Sequence, residues 1–128
     1  YDNGLSQENL FRIQSDAIRK AADESSCVFV GRCADYVLRD NPNMVTVFIT
    51  ADLDDRISNV CKRRNCSAEE ARKLIEDKES TRSSYYNYYS GKTWGASASY
   101  DLCVNASRLG AEGTKEFIAD FIRMRMKR

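Results

Sequence analysis

The sequence predicts an α/β fold: a parallel sheet with helices on both faces. Three observations carry this. Short apolar runs stand at residues 27–30, 44–49 and 102–104, stretches with helical spacing alternate with them, and turn residues mark the junctions. Apolar runs without polar alternation suit strands buried on both faces, and strands alternating with helices imply parallel pairing. The length, 128 residues, fits one domain.

Each element has its own signal. Ser6 can cap a first helix whose apolar positions, Leu10, Phe11, Ala17, Ile18 and Ala21, follow helical spacing. Cys27, Val28, Phe29 and Val30 form the first expected strand, which ends at Gly31. Residues 34–39 read as a short helix stopped by Asp40, Asn41 and Pro42. After the second strand, Asp52 is placed to start a helix with Leu53, Ile57, Val60 and Cys61 on one face. Ser67 and Glu70 have the spacing of a capping box, so a long charged helix is expected from Ala68 to near Tyr89. Gly91 and Gly95 open a loop, the third strand follows, and residues 114–126 close the chain as an amphipathic helix.

Composition narrows the function. Twenty basic and nineteen acidic residues leave a net charge of +1, too balanced for a dedicated nucleic-acid-wrapping surface. No apolar run approaches the ~18 residues of a membrane span. The five cysteines, Cys27, Cys33, Cys61, Cys66 and Cys103, are odd in number and contain no C-x-x-C pair, and no histidine is available to complete a zinc site. This usage points to free thiols in a reducing compartment, the cytoplasm, and to no resident metal on this stretch. Ser-His-Asp and Cys-His chemistry is excluded by the same absence of histidine.

In a parallel sheet, ligands sit at the carboxyl ends of the strands. The first candidate there is the turn Gly31-Arg32-Cys33-Ala34-Asp35. Glycine allows close backbone approach, arginine offers a donor fork suited to phosphate, and Asp35 is near enough to orient Arg32 or accept a ligand hydroxyl. The two side chains could equally form a structural ion pair. The second candidate is a group of cations: Arg63 and Arg64 end one helix, and Lys78 and Arg82, four apart, share a face of the next. Such a group is either a solvated face or the charge-neutralising half of a phosphoryl-transfer site, carried on a mobile lid. Asn105 and Ser107 follow the third strand, where they meet a ligand or cap a turn before Gly110. The aromatic segment around Tyr85, Tyr86, Tyr88, Tyr89 and Trp94 could stack a base; packing or a dimer contact, and so a homo-oligomer, is the expected role of most of it. Ser90-Gly91-Lys92-Thr93 matches only the tail of a phosphate-binding loop, since the upstream glycine and the leading strand are missing.

The segments CVFVGRCADYVLRD, DRISNVCKRR, DKESTRSSYYNYYSGKTWG and YDLCVNASRLGAEGT resemble the cytidylate kinase-like family, from about Leu10 to Phe117. The resemblance implies a three-layer P-loop kinase architecture, incomplete at its N-terminus in this chain, with a helical lid over roughly residues 62–95. It implies transfer of a phosphoryl group from ATP to CMP, dCMP or a related acceptor, with Mg2+. Arg32 would hold the acceptor phosphate, assisted by Gly31 and Asp35. Lys78 and Arg82, with Glu79, would be lid groups on the phosphates, and Arg63 and Arg64 would stand at the lid's base. Asn105 and Ser107 would lie near the donor's base. Val30 and Cys33 flank the Gly-Arg pair where the family's cytidylate kinases carry acids. The P-loop is expected upstream of Tyr1, so this stretch alone is expected to be inactive; a module that keeps the fold and binds nucleotide without chemistry is the alternative.

Overall fold

The structure, a computed structural model, describes residues 3–127, with side chains from Gln7 onward. It divides into two compact units, Tyr1–Met44 and Val45–Arg128.

In the first unit, α1 (Asn3–Glu24) is followed by α2 (Ala34–Val37). Helix α1 already includes Ser6, which therefore is not its N-cap residue; the Ser6 side chain lies outside the described residues. The core of the unit is Ile18, Ala34 and Val37, with Phe11, Phe29 and Leu38 packed against it. Ser15 is buried within α1 and donates its hydroxyl to the Phe11 carbonyl at 2.8 Å, which removes the cost of burying it. The strand expected at residues 27–30 is not formed. Phe29 packs inward, while Val28 and Val30 are 93% and 90% exposed. An unbroken apolar run predicts burial on two faces, but here only one face meets a core.

The second unit holds the sheet. Strands β1 (Val47–Thr50) and β2 (Leu102–Asn105) pair in parallel, with Val47 opposite Leu102 and Thr50 opposite Asn105. The register is fixed just before the ladder: Thr46 N–H donates to the Asp101 carboxylate at 3.0 Å, and Asp101 N–H donates to the Thr46 hydroxyl at 2.8 Å. The parallel pairing agrees with the sequence, but the full two-face burial does not, because Ile49 is 55% exposed. Helix α5 (Ala106–Met126) leaves β2 without a loop and packs on both strands. It starts eight residues before the helix expected at 114–126, because the Asn105 side chain caps it by accepting Ser107 N–H at 2.9 Å. Gly110, at φ 73° and ψ 174°, breaks it one turn in, which is where the sequence placed a turn.

Between the strands lies a helical hairpin, α3 (Leu53–Arg64) and α4 (Ala68–Ser90), packed against each other. Asp52 precedes α3 with extended backbone, and the Ser67/Glu70 capping box starts α4 with both reciprocal hydrogen bonds in place. Ala71 and Ile75, four apart, bury on the face of α4 that meets α3. Burying such an isoleucine contributes roughly 1.5–3 kcal/mol. Gly91 ends α4 in the left-handed region at φ 72°. Beyond it, aromatic rings tie the end of α4 to the sheet: buried Tyr86 stacks on Tyr100, and Phe48 of β1 contacts both Tyr100 and Trp94 at about 5 Å. Packing is thus the role of Tyr86, while Tyr88 stands 72% exposed with its ring edge-on to Tyr89. No helix among the described residues is long and apolar enough to cross a membrane.

Candidate phosphate-binding cleft

The α3–α4 hairpin is amphipathic on both arms, and polar residues from both helices line one cleft. Arg56, Asn59, Arg63 and Arg64 reach in from α3; Lys78, Glu79 and Arg82 reach in from α4; Val60, Leu74 and Ile75 form the floor. They enclose an open cleft of about 380 Å³, within the size range of small-molecule sites. Five cations here face one carboxylate. That carboxylate, Glu79, is engaged in an ion pair with Arg56 that joins α4 to α3. Both partners of the pair are half-buried, whereas Arg63, Arg64, Lys78 and Arg82 are exposed. Among the described residues none of these four has a carboxylate within ion-pair distance.

The structure therefore brings together four of the residues singled out in the sequence, from two different helices. The sequence reading missed Arg56. A signal for it existed: Arg56 and Arg63 are seven apart on one helix and share a face. The arrangement presents unpaired guanidinium and ammonium groups at the mouth of a cleft, with a fixed ion pair behind them. Such a set has the charge and the donors that an anion with several oxygens, such as a phosphate or polyphosphate, requires. Among the described residues no cluster of three or more His, Cys, Asp or Glu side chains comes together.

Asn105 and Ser107 lie at the carboxyl ends of the strands, as expected, and form part of a second polar cluster. Asn105 donates its side-chain amide to Asp52 at 3.0 Å, Asp52 N–H donates to the Ser107 hydroxyl at 2.8 Å, and Arg108 donates to Asp52 at 3.0 Å. These bonds tie the exit of β2 to the exit of β1.

In the other unit, Gly31, Arg32 and Cys33 take positive φ values of 73°, 61° and 56° in succession. The glycine is there for its backbone, since a Cβ at Gly31 would meet nothing within 4 Å. Arg32 is exposed, and the next residue, Cys33, is buried. Burial and the nearby Asp35 carboxylate push the Cys33 thiol up to about 11, so this sulfur stays protonated and unreactive at neutral pH. Asp35 accepts the N–H of Tyr36 at 2.8 Å, at the first turn of α2.

The sequence profile of the cytidylate kinase-like family matches residues 1–108. The cytidylate kinase of Methanopyrus kandleri is 29% identical to the chain over 104 residues, which is 75% of this chain and 54% of that protein. The chain thus spans about half the length of that curated relative. The crystal structure of an uncharacterized protein from Eubacterium ventriosum ATCC 27560 matches the fold with a TM-score of 0.86 at 32% identity, covering 89% of this chain and 65% of that one.

Proposed function

The chain belongs to the cytidylate kinase-like family, and from that premise we propose that it supplies the lid and part of the acceptor site of a phosphotransferase. The reaction is transfer of a phosphoryl group from ATP to CMP, dCMP or a related acceptor. The observation that carries this reading is the cleft between α3 and α4, where four exposed cations, with no carboxylate partner among the described residues, surround a space of about 380 Å³. A migrating phosphoryl group spreads negative charge over its oxygens, and fixed cations stabilise that charge without reorganising.

Lys78 and Arg82 are the groups assigned to the phosphates in flight. Arg63 and Arg64 hold neighbouring phosphate oxygens from the base of the lid. The Arg56–Glu79 pair keeps the two arms in register, so that Arg82, one turn beyond Glu79, is held over the cleft. In the same reading Arg32, on its left-handed turn with Gly31 and Asp35, binds the acceptor phosphate. Asn105 and Ser107 border the donor's base; with their side chains engaged by Asp52, they would do so mainly through backbone. In the same reading, the three-layer P-loop architecture would be that of the full-length gene product. Magnesium would enter with ATP, held by its phosphate oxygens.

The test is an ATP-dependent phosphorylation screen of the full-length gene product, with magnesium and with CMP, dCMP, UMP and AMP as acceptors. Turnover of CMP or dCMP is expected. A folded full-length protein that binds ATP but turns over none of the four would overturn the stated acceptor class and favour a nucleotide-binding module.

A further inference from the structure

Two of the five cysteines are brought together by the way α3 ends. Asn65 turns the chain through the left-handed region, at φ 53° and ψ 52°, and its N–H donates to the Cys61 carbonyl. Cys66 N–H donates to the same carbonyl at 3.3 Å. A six-residue closure of this kind places the side chain after the turn against the one in the last helical turn. Here the two residues that the turn juxtaposes are both cysteines. Both are half-buried, so they are neither sealed away nor fully loose.

We propose that Cys61 and Cys66 form a reversible dithiol–disulfide couple that locks the elbow between α3 and α4. The oxidant is a small-molecule disulfide such as oxidised glutathione. One cysteine, as thiolate, attacks a sulfur of that disulfide and expels the first reduced thiol, leaving a mixed disulfide on the protein. The second cysteine loses its proton, attacks the protein-side sulfur and expels the second reduced thiol. Two electrons and two protons pass from the pair to the two released thiols, and one S–S bond replaces two S–H bonds.

The pair is set apart from the other thiols. Cys33 is buried and held protonated, and Cys27 and Cys103 are exposed at separate places in the fold. Partial burial, Cys61 and Glu70 raise the pKa of the Cys66 thiol, against the opposing pull of Arg64. The reduced pair is accordingly stable until an oxidant is supplied. Arg63 and Arg64 lie between the two sulfurs in sequence, so oxidation fixes the turn on which these cleft residues stand. The couple requires only the turn, and it would exist whether or not the cleft binds phosphate.

The experiment is equilibration of the folded chain in glutathione buffers from reducing to oxidising, followed by alkylation, thiol counting and peptide mass mapping. The expected result is loss of two of the five thiols, one linked peptide pair containing Cys61 and Cys66, and full reversal by dithiothreitol. Cys61→Ser and Cys66→Ser should each form no internal cross-link while keeping the same circular dichroism. Phenylarsine oxide, a probe for paired thiols, should bind one-to-one to the parent chain and to neither variant. Survival of all five thiols in the most oxidising buffer, or a cross-link through Cys27, Cys33 or Cys103 instead, would overturn the proposal.

Discussion

The cleft between α3 and α4 and the polar cluster at the strand ends use similar residue types to opposite ends. In the cluster, Asp52, Asn105, Ser107 and Arg108 satisfy one another, and each bond joins one strand exit to the other. In the cleft, Glu79 pairs with Arg56, and Arg63, Arg64, Lys78 and Arg82 face solvent with no carboxylate partner among the described residues. Polar groups that consume one another's hydrogen bonds stabilise a fold. Cations left over once the local acid is paired are available to something that is not part of the fold. The difference lies in the company each residue keeps, since arginine and an acid occur in both places.

Substitutions can break or sharpen this contrast. The largest effect is expected in the cleft: Arg82→Ala in the full-length protein should lower kcat/KM by about 100-fold or more. Its unfolding free energy should barely change, by under about 0.5 kcal/mol, because the side chain is exposed and has no carboxylate partner among the described residues. Steady-state kinetics beside a urea titration reads both numbers. A loss of stability as large as the loss of activity would erase the distinction.

Asp52→Ala should show the reverse pattern, with stability down by about 1–2 kcal/mol, since it orphans the half-buried Asn105 amide. The exposed Arg108 contact adds little to that figure. Ser67→Ala removes the capping hydroxyl of α4 and should cost about 1 kcal/mol by the same titration.

The smallest effect is one of pH. Hydrogen bonds from Ser67 hold the Glu70 carboxyl below its ordinary 4.5. A depressed carboxylate contributes stability above its unfolded pKa and loses it as pH falls through the folded value. Acid unfolding should therefore set in at lower pH in Glu70→Gln than in the parent, once each curve is normalised to its own neutral stability. Identical normalised curves would show that the cap carries no charge component.

The sequence revealed local structure well and long-range structure poorly, for physical reasons. The capping box of α4, the end of α4 at Gly91 and the parallel pairing of β1 with β2 all follow from signals within a few residues or from apolar runs. The strand expected at residues 27–30 failed because an apolar run states a demand for burial and cannot say whether a neighbour meets it; Val28 and Val30 are exposed. Four cleft cations were visible as charges on helix faces, but their convergence depends on how α3 packs on α4. Arg56 was missed because its partner, Glu79, is 23 residues away and becomes near only through the hairpin. Asn105 and Ser107 were located at the correct strand ends, while their use in joining β1 to β2 required the register of the sheet.

The turn at Gly31, Arg32 and Cys33 has a consequence for any attempt to improve this protein by selection. Two consecutive residues with side chains sit at positive φ there, each disfavoured by about 1–2 kcal/mol relative to glycine. A screen that rewards thermal tolerance alone would drift toward glycine or asparagine at position 32, gaining robustness by discarding the guanidinium. On the proposed assignment of Arg32 to the acceptor phosphate, a screen that also demands turnover would hold the arginine in place and find its gains in the helices instead. The identity of the residue recovered at that one position would therefore report which of the two pressures the population had felt.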